Sequence, residues 1–549
     1  MNGAKAIIES LKREGVTHIF SLPGKGILDL YDAVYDDPHI KLITCRHEQG
    51  AAFMADGFTR ASEKPAVCMA SRSSGALNMA SVVQNAYQES SPLICLFGQV
   101  EQGIAARDAF EELDLVAAFR PFTKWAVEIQ RAERIPELVQ RAVRTALIGR
   151  PRPVMISVPW DLQQVNIEPS FLPPTNIPNP RGDKKDLEKA VRLIAGSKRP
   201  VIMAGGGVNR AGANEELRRV AEFLNIPVIT TWLKNDVFPN EHPLYLGTPG
   251  YGAPKVVYDF LKSADLILAI GCRFSEHTTK RYSCLQPNAA IININIDGEG
   301  LNQIFSPAVG IVSDAKLALL DLMAVVRDSL TENELDKMRL TFKKGVNEAK
   351  EALEKTGTVA SGQYKGKFVH QGLFYQYIQQ ILGKDSIITM DSGAHPSWVS
   401  AFYKFSQPGT LYAPAGGTMG FGFPAALGVK LARPERSVVS ITGDGGFMMV
   451  LQELETAVRY KIPVIVAVIN GFGYANIKEW QLSKYGGREI GNDFGNPDYA
   501  QLARLFGANG ERIEKAEDII PAMKRALNSD MPTVLDVIVD PDLILPPVS

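Results

Sequence analysis

Residues 437–477 read SVVSITGDGGFMMVLQELETAVRYKIPVIVAVINGFGYANI. The first run, to Thr442, is apolar and β-branched, as a buried strand requires. Gly443, Asp444, Gly445 and Gly446 follow, and a helical pattern begins near Phe447. Glycines at a strand–helix turn let backbone N–H groups approach an anion, and a helix N-terminus favours negative charge. An aspartate at that turn repels a phosphate unless a cation stands between them. Mg²⁺ fills that role, as a hard ion that takes carboxylate, amide and phosphate oxygens in an octahedron. The second strand ends at Asn470, with 25 residues between Asp444 and Asn470. Adjacent parallel strands would bring both ends to one carboxyl edge of a sheet. Alone, GDG is better read as a glycine turn with a capping aspartate. The second turn at this spacing favours the ligand reading.

Outward from this stretch, the runs SIITMD and TVLDVIVD complete a third α/β block, residues 366–549. A first block, residues 1–165, has the apolar runs HIFSLPG, IKLITC, AVCMAS, PLICLFG and PVMISVPW, with helical patterns such as AAFMADGFTRAS and ALNMASVVQNAYQES between them. A middle block, residues 184–340, carries PVIMAGGG, IPVITT, DLILAIG and AIININID. Alternation of this kind predicts βα units and parallel sheets. The segment at 166–183, rich in proline and asparagine, reads as a linker, as does TGTVASGQYKGK after a charged helical stretch at 331–356. The first and third blocks match in length and strand count and read as two copies of one architecture, although no residue repeat is visible.

The 549 residues leave room for about three domains. Lys+Arg 59 against Asp+Glu 60 offers no basic nucleic-acid surface. Cys45, Cys68, Cys95, Cys272 and Cys284 are too scattered for a disulfide framework, and none forms C-x-x-C. MNGAKAIIESLKREG reads as a helix without an apolar signal core, and no apolar run reaches the ~18 residues of a membrane span. The expected compartment is the cytoplasm.

Residues 443–473 resemble the diphosphate-binding motif of thiamine-diphosphate enzymes. RHEQGAAFMADG at 46–57 resembles that family's pyrimidine-binding segment, and GTMGFGFPAA at 417–426 the segment that props the pyrimidine. The resemblance covers nearly the whole chain. It is nearest to the acetolactate synthase branch through the HEQGAA run, Gly98-Gln99-Val100, Arg107-Asp108-Ala109-Phe110, Thr123-Lys124 and Glu479-Trp480-Gln481. It implies an α/β fold of three domains, each with a central parallel sheet: the thiamine-diphosphate-binding fold twice, around a Rossmann-like central domain.

The resemblance also implies roles. Glu48 would drive the aminopyrimidine to the imino form that removes the proton from the thiazolium C2; its place after IKLITC suggests burial and a raised pKa. Met419 would bend the cofactor and Gly417 would offer a carbonyl to its amino group. Gly393 and His395 would lie by the diphosphate with Gly443, Asp444, Gly445, Gly446 and Asn470. Asp444, Asn470 and Gly473 would hold Mg²⁺. Lys25, Phe110, Lys124 and Trp480 would line the substrate side. The turn Gly205-Gly206-Gly207 would hold FAD, or serve structure only. The expected reaction is decarboxylation of a 2-oxo acid such as pyruvate, with carboligation. Alternatives are C–C cleavage of a diketone and a regulatory paralogue without turnover; a nicotinamide oxidoreductase leaves the GDG region unexplained. The family's shared sites imply a homodimer or homotetramer.

The chain also departs from the pattern. Gly471 stands where the family has its second asparagine, a metal ligand. Pro23-Gly24-Lys25-Gly26 and Arg72-Ser73-Ser74-Gly75 replace glycine- and proline-rich turns, and His277 replaces an arginine thought to meet a substrate carboxylate. These changes predict an altered pocket with weak acetolactate synthesis.

Overall fold

The computed structural model describes residues 1–174, 177–355, 364, 366–543 and 545. Most of the second linker lies outside the described residues.

The first sheet holds β1 (His18–Ser21), β2 (Lys41–Thr44), β3 (Val67–Ser71), β4 (Ile94–Gln99), β5 (Trp125–Glu128) and β6 (Val154–Pro159). The second holds β7 (Pro200–Ala204), β8 (Val228–Thr230), β9 (Tyr245–Gly247), β10 (Leu266–Ile270), β11 (Ala290–Asn295) and β12 (Val309–Val312). The third holds β13 (Ile387–Met390), β14 (Leu411–Tyr412), β15 (Val438–Gly443), β16 (Ile465–Asn470), β17 (Asn509–Ile513) and β18 (Thr533–Ile538). All pairings between these strands are parallel.

The first and third sheets run β2-β1-β3-β4-β6-β5 and β14-β13-β15-β16-β18-β17, one topology used twice, as the matched blocks suggested. The central order, β12-β11-β10-β7-β8-β9, is doubly wound and reverses between β7 and β10. Five strands have no counterpart in the sequence reading: β5, β9, β12, β14 and β17. Each is a sheet edge. An edge strand is covered on fewer sides, so sequences such as WAVE and NGERI carry no continuous apolar run. The charged stretch forms the helix Glu332–Lys355. No described helix is long and apolar enough to cross a membrane.

The outer domains share one core, in which Phe53 meets Phe421 edge-on at 5.7 Å. Helix Glu48–Ser62 lies along helix Gly422–Ala432, and only glycine permits the approach. A Cβ at Gly428 would sit 1.9 Å from the Met54 carbonyl oxygen, and one at Gly57 2.4 Å from that of Ala425. Gly428→Ala should therefore cost about 1–3 kcal/mol by overpacking. The urea unfolding midpoint measures it, and an unchanged midpoint would mean the two helices can part without loss.

All three domains meet at Glu89. Its carboxylate accepts from Lys234 Nζ at 2.8 Å and from the Ala415 N–H at 2.6 Å, and pairs with Arg60 at 3.4 Å. Asp236 adds a second link, accepting from the Thr410 and Leu411 N–H groups. These ties seat the 415–420 turn on the helix Arg72–Glu89.

Candidate active site

The register pairs Gly443 with Ile469, so the turns after β15 and β16 emerge side by side, as their spacing predicted. Asp444 opens a short helix and is buried. Its Oδ1 accepts the Gly445 N–H at 2.8 Å; its Oδ2 accepts the Gly473 N–H at 3.2 Å and Asn496 Nδ2 at 2.9 Å. Burial raises its pKa, against the opposing pull of these donors. Asn470 donates through Nδ2 to Asp536 at 2.8 Å, while its Oδ1 accepts Asn496 Nδ2 at 2.8 Å. At Gly446 a Cβ would fall 2.7 Å from Asp391 Oδ2, which accounts for the glycine there.

The strand order of this sheet doubles back between β13 and β15, the place where a ligand crevice forms. Asp391 and His395 follow β13 on its other side. Asp391 was missed as a site residue. Its buried carboxylate accepts from the Ser392 N–H at 2.7 Å, the Gly420 N–H at 2.9 Å and the Thr442 hydroxyl at 2.9 Å. It thus ties the turn bearing Met419 to the end of β15. Burial pushes its pKa up to about 6. A carboxylate at the end of a core strand was the signal for it.

His395 is buried against Gly393 and Gly443, and burial brings its pKa down to about 4, so the ring is neutral at pH 7. Its Nε2 is buried without a hydrogen-bond partner among the described residues. A buried ring nitrogen left open beside a glycine turn fits a ligand oxygen as the Nε2–H tautomer, which donates to it. The residues present therefore fit a diphosphate group.

Glu48 begins the helix Glu48–Ser62, whose N-cap is His47. It is half-buried, less than its position after IKLITC suggested, because Arg46 and His47 lead the chain out to the carboxyl edge. Its Oε2 accepts Asn78 Nδ2 at 2.9 Å, and Gly75 leaves room for Oε1. The backbone before it is held by Glu453, a second carboxylate missed in the sequence, which accepts the Arg46 and His47 N–H groups at 3.2 and 3.0 Å. Burial raises Glu453 to about 7. The half-buried Met419 and the exposed Gly417 sit on the turn that rests on Asn85. Among the described residues, no hydrogen bond, ion pair or ring contact joins Glu48 to Asp444, His395 or Met419.

Lys25 is exposed on the same edge as Glu48, its ammonium 5.0 Å from the Trp160 ring centre. Nearby, Arg72 donates to the carbonyl of Phe110, whose side chain is 79% exposed. Lys124, expected on the substrate side, lies elsewhere. It precedes β5, at the amino edge of the sheet, and donates to the carbonyls of Ile148 and Arg150. Burial, with Arg152 nearby, lowers it to about 8. Trp480 lies on the helix Ala475–Lys484 and meets Tyr251 at 6.3 Å; Tyr251 and Trp232 in turn meet His277 at 5.1 and 6.1 Å. His277, exposed to solvent, thus borders an aromatic cluster, and partial desolvation against those rings lowers its pKa.

A cavity of 1270 Å³ opens at the switch point of the central sheet, walled by Arg150, Lys234, Arg273 and Asp297. Gly205 and Gly207 are explained by packing: a Cβ on either would lie within 2.6 Å of Gly271. Gly206 lines the cavity beside Lys234.

Three family models match the chain: the thiamine pyrophosphate enzyme N-terminal TPP binding domain over residues 1–118, the central domain over 187–322 and the C-terminal TPP binding domain over 391–537. The chain is 39% identical to a probable acetolactate synthase large subunit of Methanocaldococcus jannaschii, covering 100% of this chain and 93% of that one. It is 33% identical to the acetolactate synthase large subunit of Corynebacterium glutamicum, covering 99% and 87%. It is 32% identical to the acetolactate synthase isozyme 3 large subunit of Escherichia coli, covering 96% and 92%.

Proposed function

The chain belongs to the thiamine pyrophosphate enzyme family, and from that premise we propose that it is an acetolactate synthase-like carboligase that decarboxylates a 2-oxo acid and joins the remaining fragment to a second carbonyl. The observation that carries this reading is the juxtaposition of Asp444, on the turn after β15, with His395, whose ring packs against Gly443 and leaves Nε2 open. When bound, thiamine diphosphate supplies a carbon acid whose conjugate base adds to the 2-oxo group and takes up the electron pair left by CO₂. Glu48 holds and moves the proton at the pyrimidine. Met419 shapes the crevice, and His395 meets the diphosphate. Asp444, with the amides and carbonyls around it, holds Mg²⁺; a donor set of one carboxylate and neutral oxygens suits that ion.

We assign the large cavity to FAD. Its volume exceeds the ~300–1,000 Å³ usual for a small ligand, and its arginines suit a diphosphate. Assembly into a homodimer or homotetramer follows from the same reading. Exposed apolar side chains border each half of the site: Leu77 beside Asn78, and Met448 and Met449 after Asp444. The replacement of an arginine by His277 at this aromatic cluster, where the cation seated on a ring is Lys484, 3.8 Å from the Trp480 centre, supports weak use of a second 2-oxo acid as acceptor. No finding favours the diketone-cleaving or non-catalytic readings.

Mass spectrometry of cofactors released from the purified chain, with acetolactate measured from pyruvate, tests this function. Product formation that survives removal of thiamine diphosphate would end the reading. Asp444→Ala should weaken thiamine diphosphate binding roughly 10- to 100-fold in the presence of Mg²⁺. Titration with and without Mg²⁺ measures it, and equal affinity in variant and parent would leave Asp444 a turn residue only.

A further inference from the structure

We propose that the side-chain amide of Asn496 completes the divalent-cation site at Asp444, supplying the donor that position 471 lacks. The inference rests on the reading of Asp444 as a cation ligand. It concerns a segment, residues 491–497, that no motif singled out.

Position 471 directly follows Asn470 and carries no side chain. Asn470 cannot turn freely to compensate, because its Nδ2 is tied to the buried Asp536, which also receives the Tyr499 N–H and Arg512. That tie leaves Asn470 Oδ1 facing Asn496. The terminal amide atom of Asn496 then stands 2.9 Å from Asp444 Oδ2 and 2.8 Å from Asn470 Oδ1. In an octahedron with ligands at 2.0–2.1 Å, neighbouring ligand atoms lie about 3 Å apart. The two spacings, those of ordinary N–H···O hydrogen bonds, also equal two edges of a Mg²⁺ coordination shell, so the amide can exchange one role for the other without moving its backbone.

The orientation of the amide is adjustable. Its Oδ1 accepts the hydroxyl of Tyr499 at 2.9 Å, and Tyr499 is fully buried. A hydroxyl donates or accepts equally well. The amide NH₂ faces the Asp444 carboxylate. Half a turn of the amide would bring its oxygen to a cation there and its NH₂ to Tyr499, whose hydroxyl donates to the Asp444 carbonyl at 3.3 Å.

Position 471 remains open to a side chain. A Cβ there would meet only Val539, at 3.5 Å, an ordinary contact. A side chain fits there, and the resemblance places the family's metal-ligating asparagine at this position, so moving the donor back by mutation makes the inference testable by rescue.

Mn²⁺ is the probe. The full chain is titrated with Mn²⁺ in the presence of thiamine diphosphate, and free Mn²⁺ is read by electron paramagnetic resonance. Asn496→Ala should raise the Mn²⁺ dissociation constant roughly ten- to hundredfold. Asn496→Ser, polar but too short to reach, should do the same. Adding Gly471→Asn to either variant should restore binding to within about threefold of the parent, the residual of a relocated ligand. Near-UV circular dichroism checks that each variant is folded. Parent-like binding by Asn496→Ala or Asn496→Ser overturns the inference. So does weakened binding that Gly471→Asn leaves unrepaired, because Asn496 would then act only on the fold. Asp444→Ala separates this from the larger reading. If it alone weakens Mn²⁺, the cation is at Asp444 and Asn496 is no ligand. If Asp444→Ala binds as the parent does, the site reading itself fails.

Discussion

Glu48→Gln should lower turnover by about 10²- to 10⁴-fold, the range of a lost general acid–base group, while thiamine diphosphate binds within about threefold of the parent, since no hydrogen bond to a charged group is removed from the diphosphate end. The substitution keeps the shape of the side chain and its contact with Asn78, and removes only the group that can hold or release a proton. Gly75 leaves space beside Oε1, and Glu453 fixes the backbone at Arg46 and His47, so a glutamine occupies the same place at the head of its helix. Two measurements separate proton transfer from binding: exchange of the cofactor C2 proton into deuterated water, followed by NMR, and the dissociation constant for thiamine diphosphate. Parent-like exchange in the variant would remove Glu48 from the proton path.

Glu89→Gln should be the most damaging change to stability, at about 3 kcal/mol, because Arg60, left with Asp56 alone at 3.6 Å, and the half-buried Lys234 lose the counter-charge they share. Burial pushes the Glu89 carboxyl up, but Arg60 and the hydrogen-bonded Lys234 overrule it and hold it at about 2. In the unfolded chain the same group titrates near 4.5, the ordinary glutamate value. A folded pKa below the unfolded one means stability that is fully present above pH ~4.5 and lost as pH falls toward ~2. The gap in thermal midpoint between parent and variant should therefore be wide at pH 7 and narrower at pH 3. An equal gap at both values would show that the ionised carboxylate is not what joins the three domains. The same cluster seats the 415–420 turn through Ala415, so the variant should also lose cofactor affinity.

The core strands, the two strand–turn–helix units and the pairing of the turns after β15 and β16 were all legible in the sequence. Each rests on a short-range pattern: an apolar run, a glycine turn and a fixed spacing between parallel strands. The resemblance proposed Glu48, Asp444 and His395 because each sits inside a contiguous motif. Lys124 shows the limit of that method, since the matching dipeptide Thr123-Lys124 marks a sequence position and not which edge of the sheet it occupies.

Periodicity reports what lies two to four residues away, so it determined the elements and the burial of their faces. It carried little information on edge strands, of which only β2, in IKLITC, has a continuous run, and none on contacts made across tens to hundreds of residues. The seat of the Met419 turn on Asp391, the grip of Glu453 on the chain before Glu48, the junction of Glu89 with Lys234 and Ala415, and the approach of Asn496 to Asp444 were decided by the tertiary structure alone. A buried polar group must be satisfied by whichever partner the packed sheets and helices bring within about 3 Å, and that partner's position in the sequence has no part in the choice.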